Sequence, residues 1–183
     1  MTRKPLALAL LLALVGGGAA LLAGAPAAIE RAMFGGTFSR NMVSDEKNLP
    51  LDWDVKTGRN VKWWAGVGSQ AYAGPSVAGG RVFVGTNNDG LRDPALPNDR
   101  GVVMAFAEAT GDFLWQMTHE KLTSGRVNDW PQQGVCSTPF VEGNRLYYTS
   151  NRATLVSLDT EGLKDGNAGP VTDEKAKGPK DGD

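Results

Sequence analysis

PSVAGGRVFVGTN, residues 75–87, returns 64 positions later as PFVEGNRLYYTSN, residues 139–151. In each copy a short stretch meets a Gly-bearing turn, Ala78-Gly79-Gly80 or Glu142-Gly143-Asn144, and continues into RVFVGT or RLYYTS. Connections this short join antiparallel neighbours. Within RVFVGT, Val82 and Val84 lie on one strand face and Phe83 on the other. Apolar residues on both faces mark a strand covered on both sides. No stretch beyond residue 30 carries a helical period, so the cover must come from other strands.

The copies extend outward from the quoted segments. Val102–Phe106 resembles Thr154–Leu158, and Ala109-Thr110-Gly111-Asp112 leads into Phe113-Leu114-Trp115. An earlier copy of that last piece is Thr57-Gly58 followed by Val61-Lys62-Trp63. One full unit therefore holds four short antiparallel strands in 41 residues, counted from Pro75 through Trp115. A repeated four-stranded unit of that length is a propeller blade, and blades stacked face to face bury both sides of each sheet. A β-sandwich would leave one face per sheet polar.

The expected fold is all-β: antiparallel four-stranded blades forming an incomplete propeller of about two blades. Residues 61–158 supply one complete blade, three strands of a second from Thr138 to Leu158, and a strand around Trp63 from a preceding blade. Closure takes roughly four to eight blades. Either the chain begins a longer protein, with polar residues 159–183 as an insertion cut short, or several copies cover each other's strand edges. The first is the expectation. Trp63 and Trp115 are expected to pack between blades.

Arg3 and Lys4 precede an uncharged stretch from Pro5 to Ile29 that ends in small residues. That is the order of a secretory signal, here residues 1–27, cut after Ala25-Pro26-Ala27. The run also reaches the roughly 20 apolar residues of a bilayer-spanning helix, so an uncleaved anchor is the alternative. Both place the remainder, a lead-in at 28–60 and then the blades, outside the cytoplasm, periplasmic or secreted. Nineteen basic against twenty acidic residues leave a net charge of −1, with no basic footprint for nucleic acid. Cys136, the one cysteine, excludes an internal disulfide and reads as a small buried hydrophobe. His119, the one histidine, has no partners for a zinc site or a nucleophilic triad and is expected in solvent.

In an up-and-down blade the connections after strands two and four open on one rim. The long insertions here, residues 87–101 and 117–134, are those two, and long loops on a rigid scaffold are where binding residues collect. The candidate cofactor-binding residues on this rim are Asn87, Asp89, Asn128, Asp129 and Trp130, with Arg92, Asp99 and Gln132 nearby in sequence. Asn87-Asn88-Asp89-Gly90 lacks the spacing and terminal Glu of a calcium loop. No catalytic residue and no metal site is identifiable.

The form P-x-V-x-G-x-R-V-F-V at Pro75–Val84, its echo at Pro139–Tyr148, and A-T-G-x-x-x-W ending at Trp115 resemble the PQQ-repeat propellers of the quinoprotein alcohol dehydrogenase-like superfamily. Phe34-Gly35-Gly36-Thr37 and Arg40-Asn41 resemble the lead-in of secreted bacterial members. The resemblance implies pyrroloquinoline quinone with calcium as cofactor in the family's enzymes, and a binding or scaffolding role in its non-catalytic propellers of outer-membrane assembly machinery. The expectation is an exported propeller-repeat module that binds or scaffolds. The alternative is the N-terminal part of a quinone-dependent periplasmic alcohol or sugar oxidoreductase. Expected partners are the remaining blades of a full-length chain and envelope proteins, with membrane contact only through the N-terminal segment.

Overall fold

The computed structural model describes residues 30–90, 92–125 and 129–162. The segment read as a signal, 1–27, and most of the polar tail lie outside them. Seven strands follow in order: β1 (Ser76–Ala78), β2 (Arg81–Asn87), β3 (Arg100–Ala107), β4 (Phe113–Glu120), β5 (Phe140–Glu142), β6 (Arg145–Thr149) and β7 (Leu155–Asp159). They form two antiparallel sheets, β1-β2-β3-β4 and β5-β6-β7, each strand paired with its sequence neighbour. The described residues are all-β, one four-stranded blade followed by three strands of a second. The repeated turns sit where the sequence puts them, between β1 and β2 and between β5 and β6.

Both faces of the first blade are covered, and this explains why its strands do not alternate in polarity. Phe83, Val103, Ala105 and Trp115 point toward the second blade and meet Val141, Leu146 and Tyr148 there. Val82, Val84, Val102, Met104 and Phe106 point the other way, onto Ala65 and Val67. Six consecutive residues of β3, Gly101–Phe106, are buried as a result. At the inner edge β1 and β5 are neighbours: Gly74 N donates to Thr138 Oγ1 at 3.0 Å, and Ser76 Oγ to the Pro139 carbonyl. The lead-in ties them together, since Arg31 bridges Val77 in both directions and Val141 N donates to the Ala32 carbonyl.

Two tryptophans repeat one joint. Trp63 Nε1 donates to the Glu108 carbonyl at 2.8 Å, and Trp115 Nε1 to the Thr160 carbonyl at 3.1 Å, each bond spanning 45 positions. Beneath each indole lies a glycine of positive φ, Gly111 at +78° and Gly162 at +67°. A Cβ on Gly111 would sit 2.6 Å from Trp63 Cδ2, and one on Gly162 3.0 Å from Trp115 Cδ1. Only glycine combines that backbone with that approach. The tryptophan expectation holds for Trp115, which is buried; Trp63 docks in the same way but is only half-buried.

Residues around Trp63 do not form the expected strand. Their backbone is extended, yet among the described residues Lys62–Val67 enter no ladder, and a strand is defined by a hydrogen-bonded neighbour. The first long connection is shorter than expected, residues 88–99, because β3 starts at Arg100, and the second lies further along the chain, residues 121–139, because β4 runs on to Glu120 and β5 starts at Phe140.

Candidate functional site

The two long connections meet on one rim, as up-and-down strands require. Lys121, just past the end of β4, is the centre of the meeting point. Its ammonium lies 2.5 Å from Asp129 Oδ1 and 3.9 Å from Asp99 Oδ2, and it donates to the Trp130 carbonyl at 2.7 Å. Asp129 is buried, and its second oxygen accepts from Leu122 N at 2.9 Å and from Asn151 Nδ2 at 2.8 Å. Asp99 accepts from Gln132 N at 2.7 Å, joining the first connection to the second. Asn151, the counterpart of Asn87 in the repeat, reaches across from the second blade and also donates to the Glu120 carbonyl at 3.1 Å. It fits because residue 101 is glycine: a Cβ there would lie 2.0 Å from Asn151 Oδ1.

Asn87 itself is fully buried at the end of β2. Its Oδ1 accepts from Ser69 N and Asp89 N, both at 3.0 Å, and its Nδ2 donates to Ser69 Oγ at 3.1 Å and to the Gln132 carbonyl. Asn88 folds the first connection in the same manner, donating to the Leu96 and Asn98 carbonyls and accepting from Arg100 N.

Of the rim candidates, then, Asn87 and Asp129 are brought together with Asp99 and Gln132, but as structural ties. Asp89 and Trp130 are exposed beside them. Asn128 lies outside the described residues. Arg92 leaves the rim group: its guanidinium sits 4.4 Å from the Phe113 ring centroid and 5.5 Å from that of Phe106, toward the far end of β3. Among the described residues no three His, Cys, Asp or Glu side chains cluster as metal ligands.

Calcium does not fit this rim. The two carboxylates that approach each other already share an ammonium ion, and a hard cation needs about six to eight oxygens free to turn toward it. Replacing Lys121 with methionine is expected to cost about 1–3 kcal/mol, because Asp129 stays buried without its charge partner. Chemical denaturation of the variant against the parent measures that loss.

Two sequence expectations are overturned here. His119 is buried rather than solvated. It belongs to β4, where alternation sets Trp115, Met117 and His119 on the face toward the second blade, and its Nε2 lies 2.7 Å from the Tyr148 hydroxyl. Burial, aided by the nearby Arg152 charge, lowers its pKa to about 4, so the ring is neutral at physiological pH. Cys136 is exposed rather than buried. Its neighbour Val135 takes the core position, and alternation along the extended chain turns Cys136 outward. Partial burial pushes its thiol pKa up, which disfavours the thiolate.

Residues 99–164 match the PQQ_2 family model, described as outer membrane protein assembly factor BamB. The matched span covers well under half of the chain and runs from the start of β3 through the turn after β7, including the junction between the blades. It supports a PQQ-repeat propeller module. No curated protein matches the chain.

Proposed function

We propose that this chain is an exported PQQ-repeat propeller module that presents a rigid loop rim for binding or scaffolding, and that it does no redox chemistry through the blades described. The observation that carries this reading is the Asp99–Lys121–Asp129 group. The two carboxylates that approach each other on this rim share an internal ammonium, and the Asn87 amide is held by loop backbone. Such a rim holds its shape without a ligand, which limits the entropy lost when a partner docks. Trp130 and Asp89 then offer an exposed aromatic and an exposed carboxylate on a fixed base. The match to an assembly-factor model favours the same reading, and Arg3-Lys4 before an apolar run favours an extracytoplasmic address.

Equilibrium dialysis of the full chain against pyrroloquinoline quinone and calcium, followed by dye-reduction assays with alcohols and sugars, tests this. The expected result is no retained quinone and no turnover. Stoichiometric quinone retention with substrate-dependent dye reduction would establish the oxidoreductase alternative in its place.

A further inference from the structure

Val77 and Val141 hold the same place in the repeat, 64 positions apart, and each is the middle residue of the inner strand of its blade, β1 or β5. Both amides point out of their own sheets. Val77 N donates to the Arg31 carbonyl at 2.9 Å and Val141 N to the Ala32 carbonyl at 2.8 Å, while Arg31 N returns a bond to the Val77 carbonyl at 2.8 Å. Successive carbonyls of an extended chain point to opposite sides. Residues 30–32 therefore run between the two inner edges and give one carbonyl to each blade.

The side chains of the lead-in fit the same place. Glu30 Oε1 accepts from Gly79 N at 3.0 Å, at the turn between β1 and β2. Ala32 is small and packs against the apolar cluster at the blade junction. Gly35 and Gly36, at φ of +78° and +77°, turn the chain just beyond, and Phe38 meets the Phe140 ring of β5 at 6.3 Å between centroids. The Arg31 side chain takes no part in this. It bonds Ser44 Oγ at 2.9 Å and lies 3.7 Å from Glu46 Oε2, both within the lead-in itself. Residues 30–46 belong to neither copy of the repeat, so the blades do not supply this strand from their own pattern.

We propose that the paired inner edges of β1 and β5 form a strand-accepting site, with the lead-in as its resident ligand clamping one blade to the next. The ligand it takes is an extended peptide with a carboxylate at the first position, ladder groups at the second, a small side chain at the third and an aromatic ring at the ninth. Glu30, Arg31, Ala32 and Phe38 supply them in that order. Two repeats must stand side by side to make the site, because it uses one amide from each. Main-chain hydrogen bonds give such an addition its hold, and side-chain contacts along the strand give it its selectivity. This goes beyond the proposed function and does not depend on whether the rim binds anything.

Hydrogen exchange of the full chain, read amide by amide, tests the site. In the parent the Val77 and Val141 amides are expected to be protected and to open together. Arg31→Pro removes the N–H given to Val77 and should speed exchange at both amides about tenfold or more, leaving Val103 and Ala105 in β3 unchanged. Arg31→Ala cuts only the side-chain ties to Ser44 and Glu46 and should leave both amides protected. A synthetic peptide of residues 28–46 is expected to bind the Arg31→Pro protein and restore protection at Val77 and Val141, whereas the same peptide carrying Arg31→Pro does not bind. Unprotected Val77 and Val141 amides in the parent, equal exchange in the alanine and proline variants, or a peptide that binds the parent as tightly as the proline variant would each overturn the proposal. The parent measurement decides alone if Arg31→Pro does not fold. Quinone dialysis is unaffected by any of these outcomes, so the two readings fail separately.

Discussion

Trp115→Ala is expected to lower stability by about 3–5 kcal/mol, the range for removing a buried aromatic side chain from a packed core. The indole is buried between the blades, 5.9 Å from the Phe83 ring centroid, stacked on Gly162 and bonded to the Thr160 carbonyl. Truncation therefore opens a cavity and also leaves a carbonyl without its donor. Trp115→Phe keeps much of the packing but loses the Nε1 bond, and should cost about 1–2 kcal/mol. Trp64 is the control: it is 76% exposed, and its replacement by alanine should stay within about 0.5 kcal/mol. Denaturant titration followed by circular dichroism reads all three. Equal losses at Trp64 and Trp115 would mean that the two sheets are not held together as described.

Acid should weaken the fold through His119 in a defined window. Its folded pKa is near 4 against an ordinary 6.5, because burial disfavours the cation and the nearby Arg152 charge adds to the effect. A base whose pKa falls on folding binds its proton more readily in the unfolded chain. Its contribution is thus full above pH 6.5 and is lost as pH falls toward 4. From about pH 7 to about pH 4.5 the loss amounts to roughly 2–3 kcal/mol. His119→Gln keeps a polar group near Tyr148 and removes the titration, so the stability difference between parent and variant should shrink as pH is lowered across that window. A parallel pH dependence for parent and variant would show that His119 titrates as it does in an unfolded chain.

The two tests probe parts of β4 that were unequally legible. Phe113-Leu114-Trp115 announces a strand by composition, and the Thr-Gly pair shortly before Trp115, seen also before Trp63, announces its partner turn. The continuation Gln116-Met117-Thr118-His119 reads as polar loop, yet Gln116, Thr118 and His119 are all buried. His119 is covered by Tyr148 of the second blade, while Gln116 and Thr118 share the opposite face with Met104 and Val102, toward Ala65 and Val67; these neighbours are distant in sequence, so no local pattern marks the burial. Cys136 failed in the opposite direction for the same reason. The apolar neighbour Val135 took the inward position, and a one-residue step reverses a side chain in extended backbone. Trp63 was recognised as a repeat member, but recognition of a motif does not supply the neighbour that makes a strand.

The blade, its turns, its covered faces and the pairing of long connections on one rim follow from periodicity and repetition, because strands that pair with their sequence neighbours are specified by short-range signals. What became of the rim residues could not follow in that way. Asp99, Lys121, Asp129, Gln132 and Asn151 are tied together across gaps of up to 33 positions for a single hydrogen bond, Gln132 to Asp99. Whether a carboxylate is free for a ligand or held by an ammonium is a matter of a few ångströms between loops, and the packing of one blade on the next sets those distances.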